Sequence, residues 1–164
     1  DITRQLWLMA AADSLLDAGT LATLGASPNQ LRVVALADAA TQGCTFEFAV
    51  PGDWASGVIT AQPYWVPGAT DGTAHTVRWT FVAKTRAAGA DVTAAGTSTA
   101  WTGASAARTA NLLVKDTATS TTITPAAAGD LFMLEVQRIG ADAADSYVGV
   151  VNLVGVLITY TANQ

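Results

Sequence analysis

The feature that most constrains this chain is a period-two alternation of apolar and polar side chains, repeated in short runs that Gly, Pro, Asp or Asn cut off. Successive side chains of an extended strand point to opposite faces, so such a run marks a strand with one face buried and one wet. Thr45-Phe46-Glu47-Phe48-Ala49-Val50 alternates strictly until Pro51-Gly52-Asp53 stops it. His75 to Lys84 places His75, Val77, Trp79 and Phe81 on one face and Thr76, Arg78, Thr80 and Lys84 on the other. Leu131 to Arg138, launched by Gly129-Asp130, sets Phe132, Leu134 and Val136 against Met133, Glu135 and Gln137. Short runs at this spacing belong to sandwiches and barrels rather than to βαβ units.

The remaining segments fit the same reading. Leu31 to Leu36, Asn111 to Val114 and Thr119 to Thr124 are short strands, the last ended by Pro125. Val58 to Trp65 is a strand in which Pro63, lacking an N–H, requires an edge or a bulge. Tyr147 to Tyr160 is apolar on both faces, with Gly149 and Gly155 inside it, as in a central strand or a subunit interface. Ala87 to Thr109, mostly Ala, Gly, Ser and Thr, reads as a long, loosely structured connection, with low-complexity disorder as the alternative. Leu6 to Leu16 has helix-friendly composition, but Gly19, Gly25 and Pro28 punctuate the stretch after it, so residues 1–30 read as an N-terminal arm or first strand. The expected fold is all-β: an antiparallel two-sheet β-sandwich, jelly-roll-like, over residues 31–164, preceded by that arm.

Composition narrows the function. At 164 residues the chain can bury a continuous core as one domain. Only 13% of residues are charged while 51% are apolar, which suits a surface covered by copies of itself or by other subunits. A net charge of −5, with eight basic residues that never form a run, argues against nucleic acid, although Lys84 and Arg86 make a small local patch. No stretch approaches the roughly 18 apolar residues of a membrane-spanning helix, and no leader pattern is visible, so no membrane is expected. The single cysteine, Cys44, is expected as a small buried side chain.

The residues already named carry a family likeness in their order. Phe46-x-Phe48-x-Val50-Pro51, Tyr64-Trp65, Val77-x-Trp79, Gly129-Asp130-Leu131-x-x-Leu134-x-Val136-x-Arg138, Asp145-x-Tyr147 and Leu153-x-Gly155-Val156-x-Ile158-x-Tyr160 together resemble a jelly roll of tailed-bacteriophage virion proteins, over roughly Thr45 to Tyr160. The resemblance implies a non-catalytic, usually trimeric protein of the outer particle surface. Such proteins are capsid decoration (cement) proteins, or head-fibre or tail-fibre tips. The implied partners are further copies of the chain and the major capsid protein or other virion proteins, with a host surface glycan in the tip alternative. On the residues themselves, Val148, Val150, Val154 and Val156 are the expected subunit contacts, with the arm from Ile2 to Met9, including Leu6 and Trp7, reaching a neighbour.

Candidate chemistry is sparse. His75 is the only histidine, and no G-x-S-x-G elbow surrounds Ser56 or Ser146, so acyl transfer has little to stand on. Glu47 and Glu135 are the best carboxylate pair for glycoside hydrolysis, yet mid-strand carboxylates are commonly the wet face of a half-buried sheet. Asp142 and Asp145 are too few for a calcium loop and read as turn formers. One Cys and one His exclude zinc and iron–sulfur sites, and no phosphate-cradling motif occurs, so no cofactor is expected. Trp54, Tyr64, Trp65 and Trp101 lie beside turns or in loops. For Trp54, Trp65 and Trp101 the alternatives are sugar recognition at the surface and core packing.

Overall fold

Alternation becomes two facing sheets. A computed structural model describes residues 2–10, 15–16, 19–28, 30–55, 57–123 and 127–163, and all regular structure among them is strand. The strands are β1 (Ile2–Met9), β2 (Leu15–Leu16), β3 (Thr20–Leu24), β4 (Leu31–Leu36), β5 (Thr41–Ala49), β6 (Gly57–Pro67) and β7 (Asp71–His75). They continue with β8 (Arg78–Arg86), β9 (Thr97–Thr102), β10 (Ala106–Arg108), β11 (Val114–Lys115), β12 (Thr119–Ile123), β13 (Leu131–Ile139) and β14 (Val151–Ala162). One sheet runs β11-β6-β14-β4-β3, with β12 added beside β6 and β1 beside β14; the other runs β2-β5-β13-β8-β9. All pairings are antiparallel. Taking β11 and β12 as one interrupted strand, the frames β4-β14-β6-β11/β12 and β5-β13-β8-β9 are the two sheets of a jelly roll, as expected.

The inner faces meet in one apolar core. The seven-stranded sheet contributes Val34, Leu36, Ile59, Trp65, Leu153, Val156 and Ile158, and the five-stranded sheet Cys44, Phe46, Trp79, Phe81, Phe132, Leu134 and Val136. Burial pushes the Cys44 thiol up to about 12. Two polar devices interrupt this core. Asp116 accepts the indole N–H groups of Trp65 (3.0 Å) and Trp79 (2.9 Å) on Oδ2, and the backbone N–H groups of Ala104 (2.9 Å) and Thr117 (2.7 Å) on Oδ1. One buried carboxylate thereby joins β6 of one sheet to β8 of the other.

Arg138 is the second device. Its guanidinium grips Asp145 in a fork (Nε–Oδ2 3.0 Å, Nη2–Oδ1 2.9 Å), both side chains having no exposed surface. It also donates to the carbonyls of Leu36, Gly149 and Tyr147. The charge is thus paired and its donors occupied, which burial requires.

Several expectations are corrected. Residues 2–9 do not reach out as an arm: β1 pairs with β14 of the same chain from Ile2↔Ala162 to Met9↔Gly155, which fulfils the first-strand alternative. Residues 87–109 hold β9 and β10, and β9 completes the five-stranded sheet beside β8. The run from His75 to Lys84 is broken at Thr76-Val77. There the Thr76 carbonyl accepts the N–H groups of Ser146 and Tyr147, and His75 leaves the core face to join a two-stranded ribbon with β10. The last strand begins at Val151 rather than Tyr147, whose ring is tied to Ala69 O at 2.9 Å. The expected strand from Asn111 shrinks to Val114–Lys115, because Asn111 turns with φ of 64°. Pro63 lies inside β6 with its carbonyl accepting Asp116 N (3.0 Å), so its missing N–H falls on the side where β11 and β12 are interrupted, and the ladder there is already broken. Ala11, Ala12, Ser56, Thr124 and Pro125 lie outside the described residues.

Replacing Asp116 by Asn keeps its size but turns an NH2 group toward one of the two N–H pairs. Asp116→Asn is expected to lower stability by about 2–3 kcal/mol, read as a fall in the urea midpoint at unchanged slope. For Cys44 the folded pKa lies above the unfolded value of 9.0, so the stability from keeping the thiol neutral is full below pH 9 and declines toward pH 12. Alkylation by iodoacetamide at pH 9 should therefore run at least tenfold slower in native protein than in urea.

A candidate recognition groove on the five-stranded sheet

The two sheets differ in what their outer faces carry. Strands β3, β6, β12 and β14 contain no charged residue, and the whole seven-stranded sheet holds only Arg4, Arg32 and Lys115. The outer face of the five-stranded sheet carries Glu47, Glu135, Lys84 and Arg86. Register builds its floor in rungs: Glu47, Met133 and Lys84 lie side by side, and so do Thr45, Glu135, Val82 and Ser98. Glu47 and Glu135 are therefore diagonal neighbours on adjacent strands, a relation in which Cα atoms stand about 7–8 Å apart.

The segment joining β8 to β9 forms the wall. Lys84 Nζ donates to Val92 O (2.8 Å) and Ala94 O (3.5 Å), and Arg86 donates to the carbonyls of Asp91 (2.7 Å), Ala94 (2.5 Å) and Ala95 (3.3 Å). Asp91 Oδ1 in turn accepts the N–H and hydroxyl of Thr93, and those two bonds hold its carboxyl below the usual range. Between this wall and the floor lies a cavity of about 660 Å³, lined by Thr45, Glu47, Lys84, Ser98, Met133 and Glu135 among others. The sequence paired the two glutamates; the register brings them into one groove, and the Lys84–Arg86 patch is what fastens its wall.

The tryptophans exchange roles. Trp65 has no exposed surface, Trp54 keeps 7% and Trp101 9%, so the surface recognition assigned to them is corrected to core packing. Trp54 stacks on Tyr160 (5.0 Å), Trp65 tilts against Tyr147 (5.5 Å), and Trp101 meets Phe81 edge-on (4.9 Å). Trp7 is the exposed one, at 43%, lying edge-on to Tyr64 at 5.1 Å. It covers Gly155, where an added Cβ would come within 2.6 Å of Trp7 Cζ2. Among the expected subunit contacts, Val148 (75%), Met9 (62%), Ile2 (44%) and Val150 (40%) are exposed. Val156 lies in the core, Leu6 packs against it, and Val154 is covered by Val33 and Val66, so these three are corrected to intrachain contacts.

His75 Nε2 lies 2.7 Å from Thr73 Oγ1 and 3.0 Å from Asp71 Oδ2. A nucleophile–base–acid relay uses the two ring nitrogens separately, so this cluster on one nitrogen is a surface hydrogen-bond knot rather than a relay. Asp71 is held below the ordinary carboxyl range chiefly by the Thr73 backbone N–H. Asp145 is occupied by Arg138, and Asp142 Oδ1 closes a turn on Ala144 N at 2.8 Å.

No protein-family model matches the chain, and no curated protein matches it. Similar solved structures exist. The isomalto-dextranase of Arthrobacter globiformis T6, complexed with panose, superposes with a TM-score of 0.52 at 18% identity over 95% of this chain. This chain spans 23% of that enzyme, and the likeness is one of fold. The CBM22-1 xylan-binding domain of Paenibacillus barcinonensis Xyn10C gives 0.44 at 11% identity, over 92% of this chain and 86% of that one. The CBM22-1–GH10 modules of Clostridium thermocellum Xyn10B, complexed with xylohexaose, give 0.43 at 12%, over 96% and 26%.

Because the three tryptophans are structural, Trp65→Ala should cost about 3–5 kcal/mol and Trp54→Ala and Trp101→Ala somewhat less, whereas Trp7→Ala should cost no more than about 1.5 kcal/mol. Urea unfolding of the four variants gives the order; Trp7→Ala as the most damaging would contradict the assignment.

Proposed function

We propose that this chain is a non-catalytic structural subunit of a phage particle's outer surface. It works as a homotrimer that decorates and clamps capsid subunits, and it joins its own copies through the outer face of the seven-stranded sheet. The observation that carries the reading is the chemistry of that face. An antiparallel sandwich ordinarily turns polar side chains outward. Here Val33, Val66 and Val154 form a second apolar cluster apart from the main core, covered within the chain by Ala22, Leu24 and Tyr64. Exposed Trp7, Met9 and Leu31 continue it, and the strands beneath carry no acidic residue.

A surface so poor in charge, with no acidic residue on its strands and Lys115 laid over the Tyr64 ring, costs little to desolvate and offers little to an ionic partner, so two further copies of the chain gathered about a shared axis are the fitting occupants. A stable subunit contact needs about 800 Å² from each partner, which one sheet face can supply. The jelly-roll topology supports the virion assignment through the resemblance of the Phe46-to-Tyr160 motif order. Arg138, Asp145 and Tyr147 of that order form one buried network.

Sedimentation equilibrium at micromolar concentration should return a trimer. The double variant Met9→Lys with Leu31→Lys, both exposed on that face, should sediment as a monomer without a fall in far-UV dichroism. A wild-type chain that stays monomeric would refute the assembly role.

A further inference from the structure

We infer that the groove over the five-stranded sheet is a binding site for a neutral oligosaccharide. The inference does not depend on the assembly role, which uses the opposite sheet. The cavity's size, about 660 Å³, falls within the range of small-molecule sites, roughly 300–1,000 Å³. Its lining selects the ligand chemistry. Glu47 and Glu135 supply carboxylate oxygens that accept hydroxyl groups, and Lys84 supplies an ammonium with three donors, two of them spent on Val92 and Ala94 carbonyls. Thr45, Thr93 and Ser98 add hydroxyls that donate or accept. Met133 and Val82 give the floor an apolar strip between these polar groups.

A polyol offers hydroxyls that both donate and accept, set around a ring with C–H faces, and that is the complement of this lining. Glu47 and Glu135 stand on the floor while Lys84 and Arg86 are turned onto the wall's carbonyls, which disfavours phosphates, uronic acids and sialic acids. Lys84 stands in the same rung as Glu47, only Met133 between them, which disfavours a small cation. The site is built rather than incidental. Lys84 and Arg86 fasten its wall, and Gly96 lets that wall approach, since a Cβ there would lie 2.7 Å from Ala83 O.

Calorimetric titration of the full chain tests this with neutral oligosaccharides (panose, xylohexaose, and the hexaoses of mannan, galactan and chitin), with polygalacturonate hexamer and with spermidine. At least one neutral sugar should bind, the uronate and spermidine should not, and Glu47→Gln and Glu135→Gln should each weaken binding about tenfold or more. Ser98→Ala, on the solvent face, should weaken it severalfold with the urea midpoint unchanged, which keeps the test open if a glutamate variant folds poorly. No neutral sugar bound, spermidine or uronate bound in its place, or sugar binding indifferent to all three substitutions would overturn the inference. The Met9→Lys, Leu31→Lys monomer should bind the sugar as the wild type does, so failure of assembly and failure of the groove are read separately.

Discussion

The carboxylate of Asp116 sets how the two sheets face each other. Apolar burial is non-directional and by itself would not orient the polar edges of Trp65 and Trp79. Their indole N–H groups are directional: each is buried and needs an acceptor, and one oxygen serves both at 3.0 and 2.9 Å. The other oxygen is fixed by the Ala104 and Thr117 N–H groups, so the link from β9 to β10 and the break between β11 and β12 are tied to the same carboxylate. At another point Arg138 fastens the turn after β13 and the approach to β14, reaching Asp145, Tyr147 and Gly149 together. Between these two clamps the strands of the five-stranded sheet hold the register that puts Glu47 and Glu135 in one groove.

Much of the sandwich was legible because alternation is a local signal. Phe132, Leu134 and Val136 point inward and Met133, Glu135 and Gln137 outward, as the sequence alone requires. The same period carries one residue further, placing Arg138 on the inward face, and the structure buries it there completely. That continuation was the available sign of a buried arginine, and a buried arginine demands a carboxylate, which Asp145 provides. The tryptophans were misread for the opposite reason. Their position beside turns is local, but what decides burial is a partner distant in sequence: Asp116, which takes the Trp65 indole N–H, lies 51 residues away, and Thr117, whose carbonyl takes that of Trp101, 16 away. His75 was likewise placed by extending an alternation across Thr76-Val77, where backbone bonds to Ser146 and Tyr147 break the strand.

The division of charge between the sheets was hidden in the average. A chain with 13% charged residues reads as uniformly poor in charge, but the topology sorts them. Strands β6 and β14 are uncharged centre strands of one sheet, while β5, β8 and β13 lie beside one another in the other and gather Glu47, Lys84, Arg86 and Glu135 on one surface. Strand order, which alternation does not encode, therefore leaves one sheet poor in charge and gathers charge on the outer face of the other.

The loop between β8 and β9 shows why low-complexity composition need not mean loose structure. Residues 87–96 are Ala, Gly, Asp, Val and Thr alone, and their own side chains bury little. Order is supplied from the strand instead: Lys84 and Arg86 reach out to the carbonyls of Val92, Asp91, Ala94 and Ala95, which bulky loop residues would screen. Small side chains are thus a requirement of this arrangement, since they let two cations satisfy the backbone at short range while the volume in front of Glu47 and Glu135 stays open. The composition that reads as a featureless linker is the one that a close-fitting, unobstructed wall needs.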